Sequence, residues 1–173
     1  ETSSGKVAGL LQGEIYQFLG IPYAEPPIGE RRFKRSSLAR KTDTVISATG
    51  YKAACSHNIP PYSGTGLAMS EDCLFLNIFA PAIDAKARPV LFWIHGGSYL
   101  YGSGNDYNGS NLSLQGDVVV VTINYRLGLL GFADFPASER NTLALPTTVL
   151  AIKLLLLSGC RKIFLNSVAT RTM

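Results

Sequence analysis

Two glycines behind a histidine are the residues of this chain best suited to chemistry. In PVLFWIHGGSYLYGSG, residues 89–104, an apolar run ends in His95-Gly96-Gly97, followed by Ser98 and a second glycine-rich turn. Without a Cβ, consecutive backbone N–H groups can converge on one point and approach a reacting atom closely. Converging donors are what the oxyanion of a tetrahedral acyl-transfer intermediate requires. The remaining parts of such a reaction are harder to find. The chain has two histidines, His57 and His95, and no G-x-S-x-G turn of the kind that presents a nucleophilic serine. Pairing Ser98 or Ser103 with His95 would place nucleophile and base in one loop. A side chain beside the oxyanion donors cannot also attack the opposite face of the carbonyl, so no improvised site is expected. His57 has no acidic neighbour in sequence and reads as a solvated loop residue.

The elements that would position the turn follow from the apolar pattern. KVAGLLQGEIYQFLG, residues 6–20, reads as two short strands joined around Gly13, and the proline-rich stretch after it as a loop. LFLNIFA, residues 74–80, alternates large apolar side chains and stops at Pro81. Residues 90–94 and 118–123 are near-continuous apolar runs rich in β-branched residues, the pattern of central strands buried on both faces. Trp93 is accordingly expected in the core. VLAIKLLLL, residues 149–157, favours a buried helix. No repeat or low-complexity linker divides the 173 residues, so one domain is expected.

Composition narrows the classes. With 46% hydrophobic and 16% charged residues the chain reads as globular. Its net charge of +4 is mostly spread out, and the short Arg31-Arg32, Lys34-Arg35 group reads as a solvated loop, not a nucleic-acid patch. The apolar run at 151–157 is interrupted by Lys153 and falls far short of the roughly 20 residues a membrane helix needs. No cofactor or metal is implied. Cys55 and Cys73 bracket a polar loop; they are either buried thiols or a disulfide, whose closure would contribute on the order of 3 kcal/mol. The sequons Asn108-Gly-Ser110 and Asn111-Leu-Ser113 fall in a polar stretch read as a loop and suit N-glycosylation. Cysteines and sequons together favour the secretory route, and an opening at Glu1 without an apolar leader suggests a processed or excised piece.

The ordered motifs resemble one family. EDCLFLNIFAP, residues 71–81, looks like the EDCL-Y/F-LN signature of type-B carboxylesterases and cholinesterases. FLGIPYAEPPIGERRF and GDVVVVTINYRLGLLGF are similar to that family's N-terminal segment and to the strand after its oxyanion loop. The resemblance covers residues 2–135. It implies the N-terminal half of an α/β-hydrolase fold, with a mixed, mostly parallel central sheet that is incomplete here. It implies that Gly96, Gly97 and Ser98 supply main-chain donors to an oxyanion, Ser98 standing where the family usually has a third glycine. It further implies a Cys55–Cys73 disulfide, a buried Glu71–Arg126 ion pair, and large residues near the gorge floor at Trp93 and Tyr99. The substrate implied for a full-length parent is a small-molecule ester. The nucleophile, acid and base would follow in that order beyond this chain, so an inactive fragment is expected, with a non-catalytic esterase-like binding or adhesion module as the alternative.

Residues 141–173 depart from the family pattern. Asn141, Leu145 and Ala151-Ile152 keep its early part in disguise, and the tail SGCRKIFLNSVATRTM shares none of it. Suitable synonymous codons for residues 158–173, read two nucleotides later, encode WVQKNIFEFGGDPDN, the stretch the family would have. A frame slip shortly before Ser158 is therefore expected, which also accounts for the odd Cys160. A sheet cut at this point would leave residues 118–123 with one open flank, an aggregation template.

Overall fold

The computed structural model describes residues 5–57 and 68–133; the expected helix at 149–157, Asn141, Leu145, Cys160 and the tail lie outside them. The alternating sequence after Glu14 folds as expected. Strands β1 (Val7–Ala8) and β2 (Leu10–Gln12) precede β3 (Ile15–Pro22), and β2 and β3 form a hairpin pairing Gln12 with Ile15. Gly13 turns it with φ +62°, a conformation glycine adopts without steric cost. Two short parallel pairs flank the hairpin: β4 (Ile46–Ser47) lies along β1, and β5 (Ala54–Cys55) along β6 (Met69–Ser70).

The main sheet is completed by β7 (Phe75–Ala80), β8 (Val90–Ile94) and β9 (Val119–Ile123), in the order β2-β3-β7-β9-β8. It is mixed: β7 is antiparallel to β3 and β9, whereas β8 and β9 are parallel. Parallel neighbours need a crossover, supplied here by the glycine-rich loop and helix α1 (Ser110–Gly116). A second short helix, α2 (Gly128–Phe132), follows β9.

All five residues of β9 are buried. Val119, Val121 and Ile123 join Ile78, Leu76 and Tyr125 on one face, while Val120 joins Ile15, Leu19 and Phe79 on the other. Burial on both faces explains its uninterrupted apolar sequence. Helix α1 packs on β7, β3 and β9. A Cβ on Gly109 at its start would lie 2.6 Å from Val120 Cγ1, so only glycine permits this approach.

Two expectations fail together. Residues 119–123 are paired on both sides, so among the described residues the edge strands of this sheet are β2 and β8. Because the crossover carries β8 outside β9 and α1 does not cover it, Val90, Leu91, Trp93 and Ile94 are exposed instead of central. Trp93 is 42% exposed, its ring 5.1 Å from that of Tyr107. Asn111 also departs from the loop expected for it: it lies in the first turn of α1, exposed.

Candidate oxyanion loop

The chain leaves β8 at Ile94 and immediately buries His95, which is 3% exposed. The next residues are solvent-facing or half-buried, and Gly97, Ser98 and Tyr99 adopt φ values of +114°, +53° and +62° in succession. Gly97 is obligatory: a Cβ there would meet Tyr101 O at 2.0 Å. Its own carbonyl accepts from Leu100 N at 2.9 Å and Tyr101 N at 3.2 Å, closing the turn. Ser98 and Tyr99 hold a left-handed backbone that side-chain-bearing residues adopt only at a cost of order 1–3 kcal/mol. The N–H groups of Gly96, Gly97 and Ser98 have no acceptor among the described residues. Three unsatisfied donors thus lie on an accessible turn.

Neighbouring elements hold this strained turn. The Tyr125 hydroxyl donates to His95 O at 2.9 Å, and Gly128 N donates to Tyr99 O at 2.7 Å. The Tyr99 ring rests 4.9 Å from that of Phe132 on α2. At the far end of the loop, Gly102 (φ +108°) passes the histidine so closely that a Cβ would lie 2.6 Å from His95 Nδ1. Ser103 Oγ and Gly104 N both donate to Asn124 Oδ1, at 2.9 and 2.8 Å.

A buried polar network extends these anchors across the sheet. Asn77, in the middle of β7, donates through Nδ2 to Asn105 Oδ1 and Thr122 Oγ1, each at 3.1 Å, and accepts from Gly20 N at 2.9 Å. Asn105 Nδ2 and Asn124 Nδ2 donate to the carbonyls of Lys52 and Ala53. Tyr23 donates to Asn124 O at 2.6 Å, and its burial raises its pKa far above the ordinary tyrosine range. Sequence reasoning missed Asn77, Asn105, Thr122 and Asn124. The signal of Asn77, Thr122 and Asn124 is polar side chains set inside otherwise apolar runs, LFLNIFA and VVVTIN, whereas Asn105 sits in a polar glycine-rich loop that gives no such signal.

His95 Nδ1 lies 2.8 Å from Gly96 O, so the hydrogen belongs on Nδ1, and Nε2 is buried without a partner among the described residues. Burial lowers its pKa, opposed by the bond to Gly96 and reinforced by His57, which keeps the imidazole neutral at pH 7. Ser103 is 2% exposed with its hydroxyl committed to Asn124, so it forms no nucleophile–base pair with His95. His57, expected to be solvated, is half-buried, its Nδ1 enclosed and without a hydrogen-bond partner among the described residues, because the fold brings it near His95 and Asp106. Burial raises the Asp106 pKa, and His57 opposes the rise.

The remaining expected residues fall around this loop. Cys55 and Cys73 form a disulfide with Cα atoms 4.9 Å apart. The Glu71–Arg126 pair is not formed. Glu71 instead receives both Nε and Nη2 of Arg32, at 2.5 and 2.7 Å, because the 3-10 turn Gly29–Arg31 delivers that guanidinium to it. This bonding lowers the Glu71 pKa. Arg126 is buried and donates through Nη2 to Lys34 O at 3.0 Å and Ser36 Oγ at 3.4 Å. Tyr99 is 60% exposed. Asn108 is exposed, its Oδ1 accepting from Ser110 N. Among the described residues no helix is long and apolar enough to cross a membrane, and no three His, Cys, Asp or Glu side chains gather as metal ligands.

Known proteins share both sequence and fold. The model of the carboxylesterase family matches residues 1–141. The chain is 41% identical over 160 residues to para-nitrobenzyl esterase of Bacillus subtilis, covering 88% of this chain and 33% of that protein. It is 40% identical over 152 residues to acetylcholinesterase of Bungarus fasciatus, covering 79% of this chain and 25% of that protein. Among solved structures, a thermophilic PNB esterase superposes with a TM-score of 0.83 at 38% identity, over 90% of this chain and 33% of that one. A Geobacillus stearothermophilus carboxylesterase superposes at 0.75 and 39% identity, with the same coverage. The chain thus spans at most about a third of the length of these relatives, and its mixed sheet corresponds to part of their α/β-hydrolase fold. By its sequence and by its fold, this chain belongs to the carboxylesterase family.

Proposed function

We propose that this chain is the oxyanion-binding part of a carboxylic-ester hydrolase, in which Gly96, Gly97 and Ser98 donate their N–H groups to the oxygen of an acyl-transfer intermediate. The observation that carries the reading is the succession of left-handed residues after β8, which leaves these donors on a partly exposed turn and without acceptors among the described residues. Two other observations support it. The loop is anchored at His95, Tyr99, Ser103 and Gly104, so the donors are held before substrate arrives, as electrostatic stabilisation of a transition state requires. The relatives named para-nitrobenzyl esterase and acetylcholinesterase bear ester-cleaving names.

A serine nucleophile, a histidine base and an acid are supplied from outside this sequence, and the chain alone does not turn over. The substrate is a small ester, and Ser98, which adds a Cβ beside the donors, narrows the acyl groups that fit. The formed Cys55–Cys73 disulfide and the exposed Asn108 and Asn111 support a route through the secretory pathway.

The deciding experiment is to sequence transcript and locus past the Met173 codon, express the frame that continues the family pattern, and assay p-nitrophenyl acetate hydrolysis. The expected result is a G-x-S-x-G serine downstream and a burst of p-nitrophenol. Replacing Gly97 by Ala keeps the N–H but drives a Cβ against Tyr101 O, so the displaced turn should lower kcat, by up to about 10²- to 10³-fold if one donor is lost to the oxyanion. A locus with no such serine, or full activity after loop substitution, would sink the proposal.

A further inference from the structure

Asn108-Gly109 is the single Asn-Gly pair in the chain. An asparagine amide can close a succinimide ring on the backbone nitrogen that follows it, and most residues hinder that closure with their Cβ. Glycine does not. Here packing imposes the glycine. A Cβ at Gly109 would lie 2.6 Å from Val120 Cγ1 and 2.8 Å from Phe79 Cδ2, so the core of the sheet dictates the one neighbour that leaves Asn108 chemically open.

Local geometry favours the same reaction. Gly109 has φ −82° and ψ 1°. A ψ near zero eclipses its nitrogen with that of Ser110, so both amide nitrogens lie on one side of the backbone. Asn108 Oδ1 accepts from Ser110 N at 2.9 Å, which brings the side-chain amide to that side and next to Gly109 N. The same N–H faces the oxygen on which negative charge develops during attack. Asn108 is exposed, so ammonia leaves directly into solvent. Asn111 is also exposed, but Leu112 follows it within α1, where helical backbone and a Cβ keep the next nitrogen from its amide. Asn77, Asn105 and Asn124 are buried, their amides bonded into the network behind the glycine turn.

We propose that Asn108 is a site of spontaneous self-modification, converting to aspartate or isoaspartate in the folded chain with the Ser110 N–H assisting. Base removes the Gly109 amide proton, and the nitrogen attacks Asn108 Cγ. The N–Cγ bond forms, the Cγ–Nδ2 bond breaks, and Nδ2 takes up a proton from solvent and leaves as ammonia. Water then opens the ring: attack at the side-chain carbonyl gives aspartate, and attack at the main-chain carbonyl gives isoaspartate. Either product carries a new negative charge and lacks the amide a glycan needs, so conversion and glycosylation at Asn108 exclude each other. Isoaspartate also adds one main-chain atom before Gly109. The Gly109 carbonyl accepts from Ser113 N at 2.9 Å and its Cα is wedged against Val120, so this product pries α1 from the sheet.

The test is incubation of the full, unglycosylated chain in its folded state, followed over time at several pH values by peptide mass mapping. Asn108 should exchange ammonia for water at least about tenfold faster than Asn111 in the same molecules, with a rate that rises in proportion to hydroxide. Ser110→Pro removes the N–H at the first helical position, where proline is tolerated, and should slow conversion about tenfold. Ser110→Ala keeps the N–H and should convert at the wild-type rate. The comparison with Asn111 needs no variant and decides the case should Ser110→Pro not fold. Equal conversion at Asn108 and Asn111, or conversion of Asn108 only after unfolding in urea, would overturn the proposal, as would an undiminished rate in folded Ser110→Pro.

Discussion

Tyr125 holds His95 in two ways: its ring stacks on the imidazole with centroids 4.3 Å apart, and its hydroxyl donates to the His95 carbonyl at 2.9 Å. Both residues are buried, so the junction between β8 and the glycine turn is fixed by the segment just after β9. Tyr125→Phe keeps the ring and removes the hydroxyl. It should cost about 1–2 kcal/mol, the penalty for a buried carbonyl left without its donor. Urea unfolding should show a lower midpoint with an unchanged slope; an unchanged midpoint would mean that stacking alone holds the junction.

Neighbouring glycines in the turn should respond very differently to the same substitution. A Cβ on Gly97 would stand 2.0 Å from a backbone oxygen at φ +114°, whereas one on Gly96 meets nothing within 4 Å. Gly97→Ala should therefore destabilise the chain by about 2 kcal/mol or more, and Gly96→Ala by less than about 1 kcal/mol. Thermal unfolding of the two variants side by side checks the contrast. Equal losses would contradict the steric account.

Acid should loosen the molecule through His95. Its pKa is lowered chiefly by burial, so the folded state binds a proton less readily than the unfolded chain, whose histidine titrates near 6.5. The resulting stability is fully present above about pH 6.5 and is lost as pH falls through the lower folded value. His95→Gln should flatten this slope below about pH 6.5, measured by denaturant unfolding at each pH. A slope that survives the substitution would place the titrating group elsewhere.

Reduction should be costly as well. The Cys55–Cys73 bond spans 18 residues, a closure worth about 3 kcal/mol through the unfolded chain. Unfolding with and without dithiothreitol should show this loss in the native protein and none in a Cys55→Ser, Cys73→Ser double variant. A reductant effect in the double variant would discount the bond as its cause.

The parts of the fold legible in sequence are those fixed by local pattern. The hairpin about Gly13 follows from period-two alternation and one left-handed turn, and the His95-Gly96-Gly97 bend follows from missing Cβ atoms. Strand order is not local. Residues 90–94 and 119–123 are both predominantly apolar, yet among the described residues one is an edge and the other a centre, because only the crossover decides which flank each presents. The partner of Glu71 escapes sequence for a related reason: Arg32 and Arg126 are both plausible by type, and a single 3-10 turn selects the former. Asn77 illustrates the reverse case, a visible polar interruption whose meaning depends on three partners distant in the chain.

Ser98 and Tyr99 occupy a backbone shape their own side chains disfavour, so the turn persists only while its neighbours hold it. Relaxation to ordinary right-handed geometry would scatter the three donors without breaking a single strand of the sheet. A molecule damaged at one anchor could then look intact to circular dichroism while the oxyanion recognition proposed for this loop is already gone. In ageing or heat-stressed preparations, competence and foldedness would part company at this loop first.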